Sequence, residues 1–193
     1  MVCFSYPLKP MLTILRRLVK CFFVFFLLPA CFGKVDSLGS IARYNNGLVH
    51  TEGNGLFRVG VLPTPWQKQR FKYRALLFQN TRTNSSISLD VFCNGAFDDA
   101  PLAALTSQLF YGFTEFKNLE QKIVGLDQRE ALYTRVSAKL DGVSLALETV
   151  VLKKDSCVYD FVHTSKPVNF EKDKVDFSKF WKNFHTLKSP GKK

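Results

Sequence analysis

Residues 122–164 read KIVGLDQREALYTRVSAKLDGVSLALETVVLKKDSCVYDFVHT. Their alternation predicts a three-strand antiparallel meander, and one dipeptide sets its register. Asp141-Gly142 suits a two-residue type I′ turn, whose central positions both need φ > 0. That turn pairs Leu140 with Val143, Ala138 with Leu145, Val136 with Leu147, Thr134 with Thr149 and Leu132 with Val151, an almost wholly apolar row. On the other face it sets Arg135 opposite Glu148 and Tyr133 opposite Val150. A slip of one residue would turn the apolar row over, so turn and pattern specify the same pairing. Asp155-Ser156 makes a second turn into a third strand, Cys157–His163. Val158, Asp160 and Val162 share one of its faces, and Cys157, Tyr159, Phe161 and His163 the other. Apolar residues on both faces imply a strand covered on both sides.

Upstream, Ile87, Leu89, Val91 and Cys93 alternate with Ser88, Asp90 and Phe92, which predicts a strand with its odd-numbered face buried. Leu56–Leu62 and Ala75–Gln79 are shorter strand candidates; Pro63-Thr64-Pro65-Trp66 ends the first, because proline cannot donate to a ladder. A helix is expected next, capped by Asp98 or Asp99, with Pro101 in its first turn. Its apolar face would be Leu102, Leu105, Leu109, Gly112, Phe113 and Phe116. Beyond Pro167 a last helix carries Phe177, Phe180, Trp181 and Phe184 at i, i+3, i+4 and i+7, one aromatic stripe. This order of elements predicts an α+β domain over residues 56–188, an antiparallel β-sheet flanked by helices on both faces, with 189–193 a basic tail.

The beginning of the chain has a different composition. Four of the 27 basic residues and none of the 16 acidic ones precede Cys31, so the net +11 falls to a dispersed +7 after it. Arg16, Arg17 and Lys20 precede an apolar run, Cys21–Ala30, about half the roughly 20 residues a spanning helix needs. Residues 1–30 therefore read as a signal peptide, with Met11 as the true start. Leu28-Pro29-Ala30-Cys31 resembles a bacterial lipoprotein cleavage box, although Pro29 departs from its usual middle residue. That resemblance implies acyl chains on Cys31, anchorage on the periplasmic side of a bacterial envelope, and, with Phe32 following, sorting to the outer rather than the inner membrane. Cleavage after Gly33, an uncleaved anchor and a buried core helix are the alternatives. Lys34–Gly55, with four glycines and an Asn45-Asn46 pair, reads as a flexible tether.

Gly55-Leu56-Phe57-Arg58-Val59 followed by Pro63-Thr64-Pro65-Trp66 is similar to the opening of PsbP-like domains. Asp127-Gln128-Arg129-Glu130-Ala131 and the turn from Lys153 to Asp160 also resemble uncharacterised bacterial lipoproteins of that fold. Over residues 55–187 the resemblance implies a PsbP-like α/β/α sandwich, and it carries over no activity and no site residue.

With Cys3 and Cys21 removed alongside the signal and Cys31 lipidated, Cys93 and Cys157 remain, an even pair in an oxidising compartment. They are expected to form a disulfide worth roughly 4 kcal/mol; two buried thiols in neighbouring strands are the alternative. Nothing nearby has the ligand spacing of a zinc site, and no metal or cofactor is expected.

Three histidines, His50, His163 and His185, limit acid–base chemistry. His163 beside Glu148 is the one recognisable pairing, and a structural role is favoured for it. No serine elbow or phosphate loop is present in the sequence, so no catalysis is expected. Export and dispersed lysines speak against nucleic acid. Two functions remain. One is a lipid-anchored envelope module that binds or scaffolds another protein. The other is a carrier of an apolar small molecule or lipid in the periplasm, with a gap lined by Phe113, Phe161 and Trp181.

Overall fold

In the computed structural model the meander supplies three neighbouring strands of a seven-stranded antiparallel sheet. The structure describes residues 41–70, 75–93 and 99–188, all within the unit Asp36–Lys193. Among the described residues the strands are β1 (Ile41–Asn45), β2 (Leu48–Thr51), β3 (Leu56–Arg58), β4 (Trp66–Gln69), β5 (Leu76–Asn80), β6 (Ser86–Phe92), β7 (Phe113–Leu126), β8 (Arg129–Leu140), β9 (Val143–Lys154), β10 (Cys157–Ser165) and β11 (His185–Lys188). Among the described residues there are two helices, α1 (Leu102–Gln108) and α2 (Pro167–Lys182). The large sheet runs β4-β5-β6-β10-β9-β8-β7, and a second sheet runs β1-β2-β3-β11.

The predicted register holds at every named pair: Leu140–Val143, Ala138–Leu145, Val136–Leu147, Thr134–Thr149, Leu132–Val151, Arg135–Glu148 and Tyr133–Val150. Asp141 and Gly142 take φ of 49° and 80°, as a type I′ turn requires. Asp155 and Ser156 also lie at positive φ, 54° and 57°, and hand the chain to β10. Odd-numbered Ile87, Leu89, Val91 and Cys93 are buried, as their alternation predicts.

Alternation along β10 separates two sets of packing partners. Tyr159 meets Phe57 edge-on, Phe161 meets Phe180, and His163 stacks against Phe170 and Phe177, so α2 and the small sheet pack on this set. Val158 joins Val151 and Leu105 of α1 in a separate cluster. Most of the apolar core lies in the first layer, where Phe177 and Phe180 are fully buried.

Four expectations are corrected. The tether expected to run to Gly55 instead contains β1 and β2, joined by a hairpin at Asn46-Gly47 with φ of 44° and 84°. An Asn-Gly pair before Leu48 and Val49 is itself a type I′ hairpin signal. The glycine is also needed for close approach, since a Cβ there would lie 2.7 Å from the Val59 carbonyl oxygen.

The first helix is shorter than expected. It stops at Gln108, Gly112 lies at φ 85°, and Phe113 and Phe116 belong to β7. Strand β7 is bulged between Thr114 and Lys117 and again between Lys117 and Glu120, so residues facing successive partners in β8 come three apart. That spacing imitates a helix. Nor does an aspartate cap α1: Pro101 is its N-cap residue, Asp99 is exposed, and Asp98 lies outside the described residues. Finally, α2 ends at Lys182, so Phe184 of the expected stripe lies beyond it, and His185 begins strand β11 beside β3.

The turn after β3 rests directly on α2. The Gly60 N–H donates to the Phe180 carbonyl at 2.9 Å, and a Cβ on Gly60 would sit 2.3 Å from the Lys179 carbonyl oxygen. Neither partner is a flexible side chain that can give way. Gly60→Ala is therefore expected to cost at least about 2 kcal/mol in chemical denaturation. A variant as stable as the parent would show that this turn does not pack on the helix.

Candidate functional site

Among the described residues, three polar constellations and one disulfide stand apart from the Asp173 cluster that holds α2 to the β5–β6 turn. The sequence pointed to the pairing of Glu148 with His163, and the two are cross-strand partners, with Glu148 Oε2 3.7 Å from His163 Nδ1. Tyr133 donates its hydroxyl to Glu148 Oε1 at 2.6 Å. Burial, then the neighbouring Glu148 carboxylate, raise the Tyr133 pKa above its ordinary value. His163 has no exposed surface, both ring nitrogens lack a hydrogen bond, and its ring stacks between Phe170 and Phe177. An imidazole enclosed in this way cannot reach a proton on a substrate in solution. It functions as a packing surface for α2.

The second constellation joins the C-terminal strand to the meander. Asp127, at the β7–β8 turn, accepts from Lys154 Nζ at 2.7 Å and from the Thr186 N–H at 2.8 Å, and its Oδ1 lies 2.7 Å from His185 Nδ1. Burial alone would raise its pKa, but these partners, Lys154 foremost, lower it to about 2. Two cavities adjoin this cluster: an open one of about 840 Å³, lined by Leu102, Gly125, Leu126, Asp127, Gln128, Arg129, Glu130 and Lys153, and a smaller one of about 160 Å³, lined by Arg129, Lys153, Lys154, Asp155, Ser156, Cys157 and Val158. At roughly 30 Å³ per water, the smaller one has room for a few waters. The two lysines bordering it are engaged, Lys154 by Asp127 and Lys153 by the Ala100 carbonyl at 2.9 Å.

The third was not read from the sequence. Asp160 of β10 is paired directly with Asp90 of β6, on the same side of the sheet as Val158. Asp160 is buried, and its Oδ1 has no hydrogen-bond partner. Removal from water, and secondarily the Asp90 charge, push its carboxyl up to about 7, and burial also raises Asp90. The available signal was an aspartate amid the apolar residues of β10, opposite another in β6. Thr149, fully buried with an unpartnered hydroxyl, lies across from Val162 two residues along β10.

Cys93 and Cys157 are joined by a disulfide that closes a 64-residue separation between the end of β6 and the start of β10. Cys31 lies outside the described residues. The three proposed gap residues are not brought together. Phe161 and Trp181 are buried in the main core, whereas Phe113 packs with Phe110 on Val136, Ala138 and Leu147. Aromatic neighbours fill the space between Phe161 and α2, Phe180 and Phe184 among them. Among the described residues no group of three or more His, Cys, Asp or Glu side chains is placed to hold a metal ion.

No protein-family model and no curated protein matches the chain. Solved structures do. Cyanobacterial PsbP from Synechocystis aligns at a TM-score of 0.53 and 12% identity, over 83% of this chain and 99% of that one. LpqN, involved in cell envelope biogenesis of Mycobacterium tuberculosis, aligns at 0.52 and 14%, over 72% and 88%. A Mog1 mutant aligns at 0.50 and 11%, over 75% and 97%. The chain has the PsbP-like and Mog1-like fold. At such identities the likeness concerns architecture alone, a mostly antiparallel sheet with two helices.

The sign of the Asp160 effect follows from its raised pKa. Below about pH 4 the carboxyl is protonated both folded and unfolded; between there and pH 7 only the unfolded chain releases the proton, so folding loses stability as pH rises. Asp160→Asn is expected to gain roughly 1–3 kcal/mol over the parent at pH 8 and little at pH 4, by urea denaturation. Equal gains at both pH values would remove the proton from the explanation. Asp127 has the opposite sign: its contribution is present above pH 4 and is lost as pH falls towards 2. Asp127→Asn should therefore destabilise at pH 6 by about 1–2 kcal/mol, with the difference shrinking at pH 2.

Proposed function

We propose that the protein is an exported, lipid-anchored module of a bacterial cell envelope that binds or scaffolds another protein and catalyses no reaction. The observation that carries this reading is the Cys93–Cys157 disulfide. Disulfides persist in oxidising compartments, and this one lies downstream of a signal-like run ending in Ala30-Cys31. LpqN, which shares the fold, supports an envelope setting. In this reading the domain is an α/β/α sandwich, α1 over the Val158 side of the sheet and α2 over the Tyr159 side. Cys31 carries the acyl chains, and Phe32 directs the protein to the outer membrane. The Asp127 cluster ties β11 to the meander and His163 is enclosed by the phenylalanines of α2, which points to the outer surface as the working part. The carrier reading is less supported, because its proposed gap residues Phe113, Phe161 and Trp181 are packed in two different places.

Labelling with a fatty acid tests the anchor. Cells expressing the full chain should incorporate label into the protein. Cys31→Ser should abolish the labelling, and globomycin should leave the precursor uncleaved. An unlabelled wild-type protein recovered in the soluble fraction would remove the anchored reading.

A further inference from the structure

Helix α2 buries Phe170, Asp173, Phe177, Phe180 and Trp181 against the sheets. Its opposite side carries Val168, Lys172, Val175, Lys179 and Lys182, at i, i+4, i+7, i+11 and i+14, and all five are exposed. The spacing makes one straight stripe about 21 Å long.

Two features separate this stripe from an ordinary solvated face. The first is that the acidic residues of the helix are used elsewhere. Glu171 pairs with Lys174 and Arg135, Asp173 takes Asn80, Thr83 and Ser85, and Asp176 accepts from Trp66 Nε1. Lys172 and Lys179 therefore have no ion-pair partner among the described residues, and Lys182 lies over the Trp181 ring at 5.5 Å. The second is that Val168 and Val175 are 76% and 54% exposed. Valine is a weak helix former, and neither residue contributes to the core, so folding gives no reason for their place in line with the lysines.

We propose that this stripe rests on an anionic phospholipid surface, the lysines at headgroup phosphates and the two valines at the headgroup boundary. Lysine is depleted at protein–protein interfaces but favoured on membrane-surface helices. The stripe is convex, without a groove or an exposed aromatic anchor, which suits a broad charged plane better than a shaped partner. The contact is peripheral and electrostatic, since the aromatic face of the helix is already committed to the core. The proposal deepens the envelope reading by fixing which face of the domain lies against the bilayer.

The test uses the full chain carrying Cys31→Ser, so that no acyl chain contributes. It is sedimented with vesicles of phosphatidylcholine alone or with 30% phosphatidylglycerol, at about 0.1 M and 0.5 M salt. A phosphatidylglycerol-dependent bound fraction that is lost at high salt is expected. With each lysine worth about fivefold, K172E/K179E/K182E should lower that binding at least tenfold while the circular dichroism spectrum is unchanged, and V168S/V175S should lower it about two- to threefold. Attachment through the N-terminal apolar run would resist salt and be shared by all variants. Charge-reversed protein that binds like its parent, or a parent with no phosphatidylglycerol dependence, overturns the proposal. Fatty-acid labelling is read independently: its failure alongside salt-sensitive vesicle binding would remove the anchor and leave the stripe.

Discussion

The register of β8, β9 and β10 is the constraint on which the rest of the molecule depends. Two turns with paired positive-φ residues, Asp141-Gly142 and Asp155-Ser156, set that register. It places Val150, Tyr159, Phe161 and His163 towards the aromatic side of α2, and Val151 and Val158 towards Leu105 of α1. Shifting β9 by a single residue would carry Glu148 out of reach of Tyr133 and put Leu147 or Thr149 in its place. The apolar pattern and the turn geometry oppose that shift together.

Polar contacts then tie the layers together at chosen points. At one end, buried Asp173 accepts from Asn80, Thr83 and Ser85, so α2 is held to the β5–β6 turn. At the other, Asp127 gathers Lys154, His185 and Thr186, and so holds β11 to the meander. A buried carboxylate with three good partners is stable in place, and one left unpaired is costly. Asp160, facing Asp90, is the exception, and its carboxyl adapts by holding a proton towards neutral pH. The disulfide between the ends of β6 and β10 closes the sheet close to that pair.

These arrangements bear on function through what they leave free. The titratable groups are largely engaged in holding layers together, and the enclosed His163 is shielded by two phenylalanine rings. The surface of α2 is different, because its acids turn inward or pair locally while its outer lysines and valines face out.

The meander, its pairings, the buried parity of β6 and the aromatic stripe of α2, apart from Phe184 beyond its end, were legible in the sequence, because each depends on local periodicity or on a turn with strict φ demands; the pairing of two cysteines was legible from their number. The β1–β2 hairpin was legible too, through Asn46-Gly47, but the surrounding glycines pointed to a tether. Other features became visible only in the tertiary structure. The bulges of β7 reset its spacing to three and made a strand resemble a helix. His185 follows a helix in sequence, yet joins a sheet by pairing with Arg58 of β3, while Asp127, 58 residues earlier, lies 2.7 Å from its ring. Asp90 meets Asp160 only because β6 inserts next to β10, and strand order across a sheet is decided by long-range packing that no local pattern encodes.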